Sequence, residues 1–74
     1  MLTLYGTEFC HLCHDAQTLL RQLQLDWQDV DIAEDDALMA RYGTRIPVLA
    51  QGAEELGWPF GQDDIVKWLR TVTP

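Results

Sequence analysis

The eight residues EFCHLCHD hold both cysteines of the chain, Cys10 and Cys13, and both of its histidines, His11 and His14. Thiols and imidazoles at this spacing suit three kinds of chemistry. Cys-x-x-Cys-His is the attachment pattern of a c-type haem, for which Met39 could be nominated as the second axial ligand. Cys10, Cys13 and His14 would give a structural zinc three of its four ligands. Two thiols three residues apart can also exchange disulfides, one sulfur attacking and the other resolving the mixed disulfide. The motif fits all three, so the residues around it must decide.

The first two readings find little support in the rest of the chain. A haem-attachment site requires export, yet the opening MLTLYG has no basic region leading into an apolar run, and the expected location is the cytoplasm. A zinc site lacks a second Cys or His pair. In a reducing compartment a Cys-x-x-Cys is more often catalytic or metal-binding than structural. A disulfide between Cys10 and Cys13 would close too short a loop to staple the fold, so its interest is chemical. The formal charge of −7, from twelve acids and five bases, argues against nucleic acid as a partner. No run approaches the roughly 20 apolar residues of a membrane span.

The elements that would position the cysteines follow from periodicity. Seventy-four residues, 47% of them hydrophobic and including three Trp, make one domain spanning 1–74. MLTLYG alternates Leu2 and Leu4 with Thr3 and Tyr5, as a strand does. Ala16, Leu19, Leu20 and Leu23 recur at helical spacing, giving about three turns that begin close to Cys10. DWQDVDIA reads as a second strand with Val30 and Ile32 on one face. EDDALMARYG reads as a short helix with acids first and Gly43 as its stop. RIPVLAQGAEEL reads as a hairpin with Gln51-Gly52 in the turn. GWPFG is a loop, and Ile65, Trp68, Leu69 and Val72 line a closing helix. Asp63 and Asp64 open that helix as Glu34, Asp35 and Asp36 open the short one, which makes these acids helix-start residues and not a cation site. Trp68 falls on the core stripe. Trp58 either borders a groove or caps the core.

A strand leading into Cys-x-x-Cys at a helix start, with Ile46-Pro47 opening a later strand, resembles the glutaredoxins and, more narrowly, short glutaredoxin-like proteins. LTLYGTEFCHLCHDAQTLL, DVDI, RYGTRIPVLA and GQDD fall in that family's order and cover nearly the whole chain. The resemblance implies an α/β thioredoxin fold, a mixed four-stranded sheet with three helices in the order βαβαββα. It also implies thiol–disulfide exchange on protein or glutathione-mixed disulfides, with Cys10 as nucleophile and Cys13 as resolving thiol. A helix N-terminus suits these roles, because its unpaired N–H groups and positive dipole end favour a thiolate.

Of the remaining site residues, Ile46, Pro47, Gln62 and Asp63 are carried over by the same resemblance, whereas Arg45 and His11 are read from their charge and position. Pro47 is expected to be cis, with the Ile46 backbone pairing an extended substrate. Gln62 and Asp63, at the start of the closing helix, are candidates for a glutathione carboxylate. Arg45 is a candidate anion partner, and His11, between the cysteines, a candidate for tuning the Cys10 thiolate. The chain departs from the family pattern at Thr7-Glu8-Phe9, where a Lys is usual, and at Trp58-Pro59-Phe60, where a second glycine is usual. Both departures weaken the case for glutathione as reductant. No bound cofactor or metal is expected. The expected partner is a disulfide-containing protein or small thiol, met by a monomer. The alternative is a redox-silent binding module with the same fold, holding a metal or an iron–sulfur cluster through its cysteines.

Overall fold

The computed structural model describes residues 2–72. Met1, which the sequence reading includes in the first strand, lies outside the described residues, as do Thr73 and Pro74. The elements are β1 (Thr3–Gly6), α1 (His11–Gln22), β2 (Gln28–Asp31), a 3-10 turn at Ile32–Glu34, α2 (Asp36–Tyr42), β3 (Val48–Gln51), β4 (Glu54–Gly57) and α3 (Gln62–Val72). The sheet runs β2-β1-β3-β4. β1 pairs parallel with β2 and antiparallel with β3, and β3 pairs antiparallel with β4. This is the mixed four-stranded sheet with three helices expected of a thioredoxin fold.

Alternation along β1 serves two cores, because both faces of the sheet are covered. On one face Leu2 and Leu4 meet Leu49 of β3, Ala16 and Leu20 of α1, and Phe60 and Ile65 at the start of α3. Trp58 and Trp68 pack against this cluster. Trp58 meets the Phe60 ring edge-on at 5.0 Å and so packs on the core. On the other face Val48, Ile32 and Tyr42 of α2 form a smaller cluster with Tyr5, Leu38 and Ile46 against them. The Tyr5 and Tyr42 rings stack there at 4.4 Å.

Local chemistry sets the element ends. Asp35 accepts from the backbone N–H groups of Ala37 and Leu38 and so caps α2, the place its acidic cluster predicts. The Asp64 carboxylate reaches back to the Gly61 N–H at 2.8 Å, as the last member of a capping box does. Two boundaries differ from the sequence reading. β2 stops at Asp31, whose carboxylate accepts from the Ala33 N–H and turns the chain, so Ile32 enters the core from a 3-10 turn instead of from a strand. In the hairpin Gln51 is still paired with Glu54, so the turn is Gly52-Ala53, not Gln51-Gly52. Gly52 has φ +61°, which a two-residue hairpin favours at its first central position.

Candidate functional site

Cys10 is the N-cap of α1, with extended backbone at φ −87° and ψ 109°. Its Sγ accepts a hydrogen bond from the Cys13 N–H at 3.1 Å, the role a Ser or Asp oxygen plays in an ordinary cap. The sulfur therefore sits where the first turn presents unsatisfied donors and the positive end of the helix dipole. Cys10 and Cys13 are joined as a disulfide, with their Cα atoms 5.1 Å apart. Cys10 is half-exposed, whereas Cys13 is only 3% exposed. An incoming group can reach Cys10, and Cys13 can be reached mainly from its partner sulfur.

Three features hold this pair. Gly6, the last residue of β1, lies so close to Cys13 that a β-carbon there would stand 2.7 Å from its Sγ. His14 directs its Nε2 to the Glu8 carbonyl at 2.9 Å, which ties the first turn of α1 to the Thr7–Phe9 turn. With the carbonyl as acceptor, Nε2 carries the proton. In the sheet register Val48 faces Tyr5, so Pro47, one residue earlier, falls beside Gly6 at the same end of the sheet. Neither Gly6 nor the His14–Glu8 link was read from the sequence. A glycine closing the strand just ahead of the motif was the only signal for the first, and the second had none.

The other candidate residues are distributed as follows. The Ile46–Pro47 peptide bond is cis. Pro47 is fully buried, and its carbonyl accepts from the Trp58 N–H at 3.2 Å. Ile46 is half-buried against the smaller cluster. His11 is exposed, with its Nε2 4.0 Å from Asp15. Arg45 is drawn to Glu55 at 3.1 Å, and Arg41 reaches the same carboxylate at 3.4 Å. The Tyr42 hydroxyl also donates to Glu55. These donors hold the Glu55 carboxyl below its ordinary range, the tyrosine hydrogen bond contributing most. Burial, followed by the Glu55 carboxylate, pushes Tyr42 up to about 12. Gln62 donates to Gln22, the last residue of α1, at 2.7 Å. That is about 18 Å along the helix from Cys10 at 1.5 Å per residue. Asp63 is exposed in the first turn of α3.

Beside Cys13 lies a cleft of about 260 Å³, lined by Leu4, Gly6, Thr7, Glu8, Cys13, Gln17, Asp29, Val30 and Asp31. Next to Cys10 in sequence, Phe9 stands 92% exposed, and Leu12 is 42% exposed. Among the described residues no helix is long and apolar enough to cross a membrane.

The family model of the glutaredoxin-like domain (DUF836) matches residues 1–70. No curated protein matches the chain. Among solved structures, the chain is similar to the X-ray structure of Northeast Structural Genomics target protein XcR50 from X. campestris. Identity there is 40% over 96% of this chain and 97% of that one, with a TM-score of 0.90. It is similar to the solution structure of protein Ne2328 from Nitrosomonas europaea at 31% identity, over 90% of this chain and 87% of that one, with a TM-score of 0.76. The holo form of glutaredoxin C1 from Populus tremula x tremuloides shares the fold at 19% identity. There the match covers 95% of this chain and 74% of that one, with a TM-score of 0.61.

Proposed function

The chain belongs to the glutaredoxin-like domain family, and we propose that its own activity is thiol–disulfide exchange on disulfide-bonded proteins or small disulfides. The observation that carries this reading is the Cys10 sulfur at the N-cap of α1, accepting the Cys13 N–H. In the reduced protein the same N–H and the helix end favour a thiolate at Cys10. That thiolate bonds one sulfur of the partner's disulfide, and the other partner sulfur leaves as a thiolate. Cys13, its proton passing to solvent or to the leaving thiolate, then attacks the Cys10 sulfur. The Cys10–Cys13 disulfide forms and the second partner thiol is released. The partner gains two electrons and the protein loses two.

A small thiol returns the pair to its reduced form. Glutathione is the family's candidate, and two features weigh against its tight recognition. The Gly61 N–H at the start of α3 is already taken by Asp64, and Glu8, not a lysine, precedes the cysteines. The setting proposed is the cytoplasm, with the protein acting as a monomer.

The test is a titration of the pair in reduced and oxidised glutathione buffers, read by intact mass. The expected result is a reversible intramolecular disulfide at about −180 to −270 mV, the span from protein disulfide isomerase to thioredoxin. Cys10→Ser should abolish exchange, and Cys13→Ser should accumulate the mixed disulfide. Thiols that form neither a disulfide nor an adduct across the series would overturn the proposal.

A further inference from the structure

The cleft beside Cys13 has a one-sided charge. Glu8, Asp29 and Asp31 line it, and no Lys or Arg does. Among the described residues none of the three acids forms an ion pair. Asp29 accepts through Oδ1 from Gln17 at 3.2 Å and Trp27 at 2.8 Å, and Asp31 accepts through Oδ1 from the Ala33 N–H. The second oxygen of each, and both carboxylate oxygens of Glu8, have no hydrogen-bond donor among the described residues. The bases lie elsewhere. Arg41 and Arg45 are held by Glu55, Arg21 is in the last turn of α1, and Lys67 and Arg70 are on α3. His14 faces the Glu8 carbonyl and His11 faces Asp15.

Size and shape narrow the occupant. About 260 Å³ is below the roughly 300–1,000 Å³ of clefts that enclose a whole small-molecule ligand. It suits a single long side chain. The exposed Phe9 ring next to Cys10 offers an apolar plane of the kind that anchors protein contacts.

We infer that the cleft is a specificity pocket for a lysine or arginine side chain flanking the reactive cysteine of a protein partner, whose surface also covers Phe9. This rests on the exchange activity proposed above and names its substrate class: cationic, cysteine-bearing protein segments. As the partner's sulfur meets Cys10, its basic side chain enters the cleft, and the exposed carboxylates of Glu8 and Asp31 exchange solvent for its N–H groups. Charge complementarity of this kind acts mainly on encounter rate and on rejection of anionic partners.

The experiment uses the reduced protein and three synthetic peptide disulfides that differ only in having Lys, Ser or Glu beside the cysteine. A small neutral hydroxyl-terminated disulfide serves as the common reference. Single-turnover rates are read by intact mass at pH 8 and low ionic strength. The Lys peptide is expected to react about tenfold faster than the Glu peptide, with the gap closing at about 0.5 M salt. In Glu8→Gln/Asp31→Asn the ratio of the two rates should fall to about twofold, because two of the three carboxylates are gone. Glu8→Gln alone, on an exposed turn, should give an intermediate ratio. Equal rates for all three peptides, or a ratio the substitutions leave unmoved, overturn the inference while the exchange activity stands. Failure of every disulfide, the neutral reference included, overturns the exchange activity itself.

Discussion

A β-carbon on residue 6 would meet Cys13 Sγ at 2.7 Å and its Cβ at 3.1 Å, so the cysteine pair fits only because β1 ends in glycine. Gly6→Ala must push Cys13 or the N-terminal turn of α1 aside. Overpacking of this kind costs about 1–3 kcal/mol, to be read in urea unfolding of the oxidised protein. The same substitution in a Cys13→Ala background should cost clearly less, since the sulfur it collides with is gone. An equal cost in both backgrounds would place the strain elsewhere. This residue shows what a sequence withholds at the finest scale. Cys10 and Cys13 announce themselves by residue type and spacing. The need for Gly6 arises from a side chain delivered by another element, and no local pattern encodes that. The His14 link to the Glu8 carbonyl is hidden for the same reason.

Helix α1 shows the same division between what is local and what is not. Its start was readable because the cysteines and the apolar repeat mark it. Its length of about three turns followed from the same repeat, but the residue that stops it did not, because the usual marker is missing. The Gln24 N–H bonds the Arg21 carbonyl at 2.9 Å and the Leu25 N–H bonds the Leu20 carbonyl at 3.1 Å, the paired bonds of a Schellman motif. The residue at the left-handed position, φ 58°, is glutamine instead of glycine. A side chain costs about 1–2 kcal/mol there, and glycine's extra freedom in the unfolded chain offsets part of the gain. Gln24→Gly is therefore expected to stabilise the protein by about 0.5–1 kcal/mol. For a domain this small that is a rise in Tm of a few degrees, measurable by circular dichroism. An unchanged or lower Tm would mean the glutamine side chain makes a compensating contact. The order of strands and helices was legible throughout, since hydrophobic period and helix-start acids are local. The end of β2 moved by two residues and the hairpin turn by one, because single side-chain-to-backbone bonds and one positive φ decide them.

Across the whole molecule, seven more negative than positive charges at neutral pH oppose compaction. The Glu55 cluster works the other way, since its carboxylate gathers Arg41, Arg45 and the Tyr42 hydroxyl and so ties β4 to α2. The two effects respond oppositely to acid. Lowering the pH from 7 toward 5 begins to protonate carboxylates and relieves repulsion, so stability should rise. Glu55 has a lowered folded value against an ordinary 4.5. Its contribution is complete above that ordinary value and is lost as the pH falls through the lowered one. Tyr42 is the mirror case, raised from 10.0 to about 12. Its contribution is complete below 10 and is lost as the pH rises toward 12. Thermal melts across pH should therefore give a maximum near pH 5, an acid limb and a base limb. Glu55→Gln should flatten the acid limb and cost about 1 kcal/mol at neutral pH, and Tyr42→Phe should flatten the base limb. Added salt tells the two effects apart. It should raise Tm at pH 7, where net repulsion dominates, and do so less near the maximum, where less net charge is left to screen. A Tm at pH 7 that falls with salt would mean that attraction within clusters such as that of Glu55 outweighs the repulsion of the acidic surface.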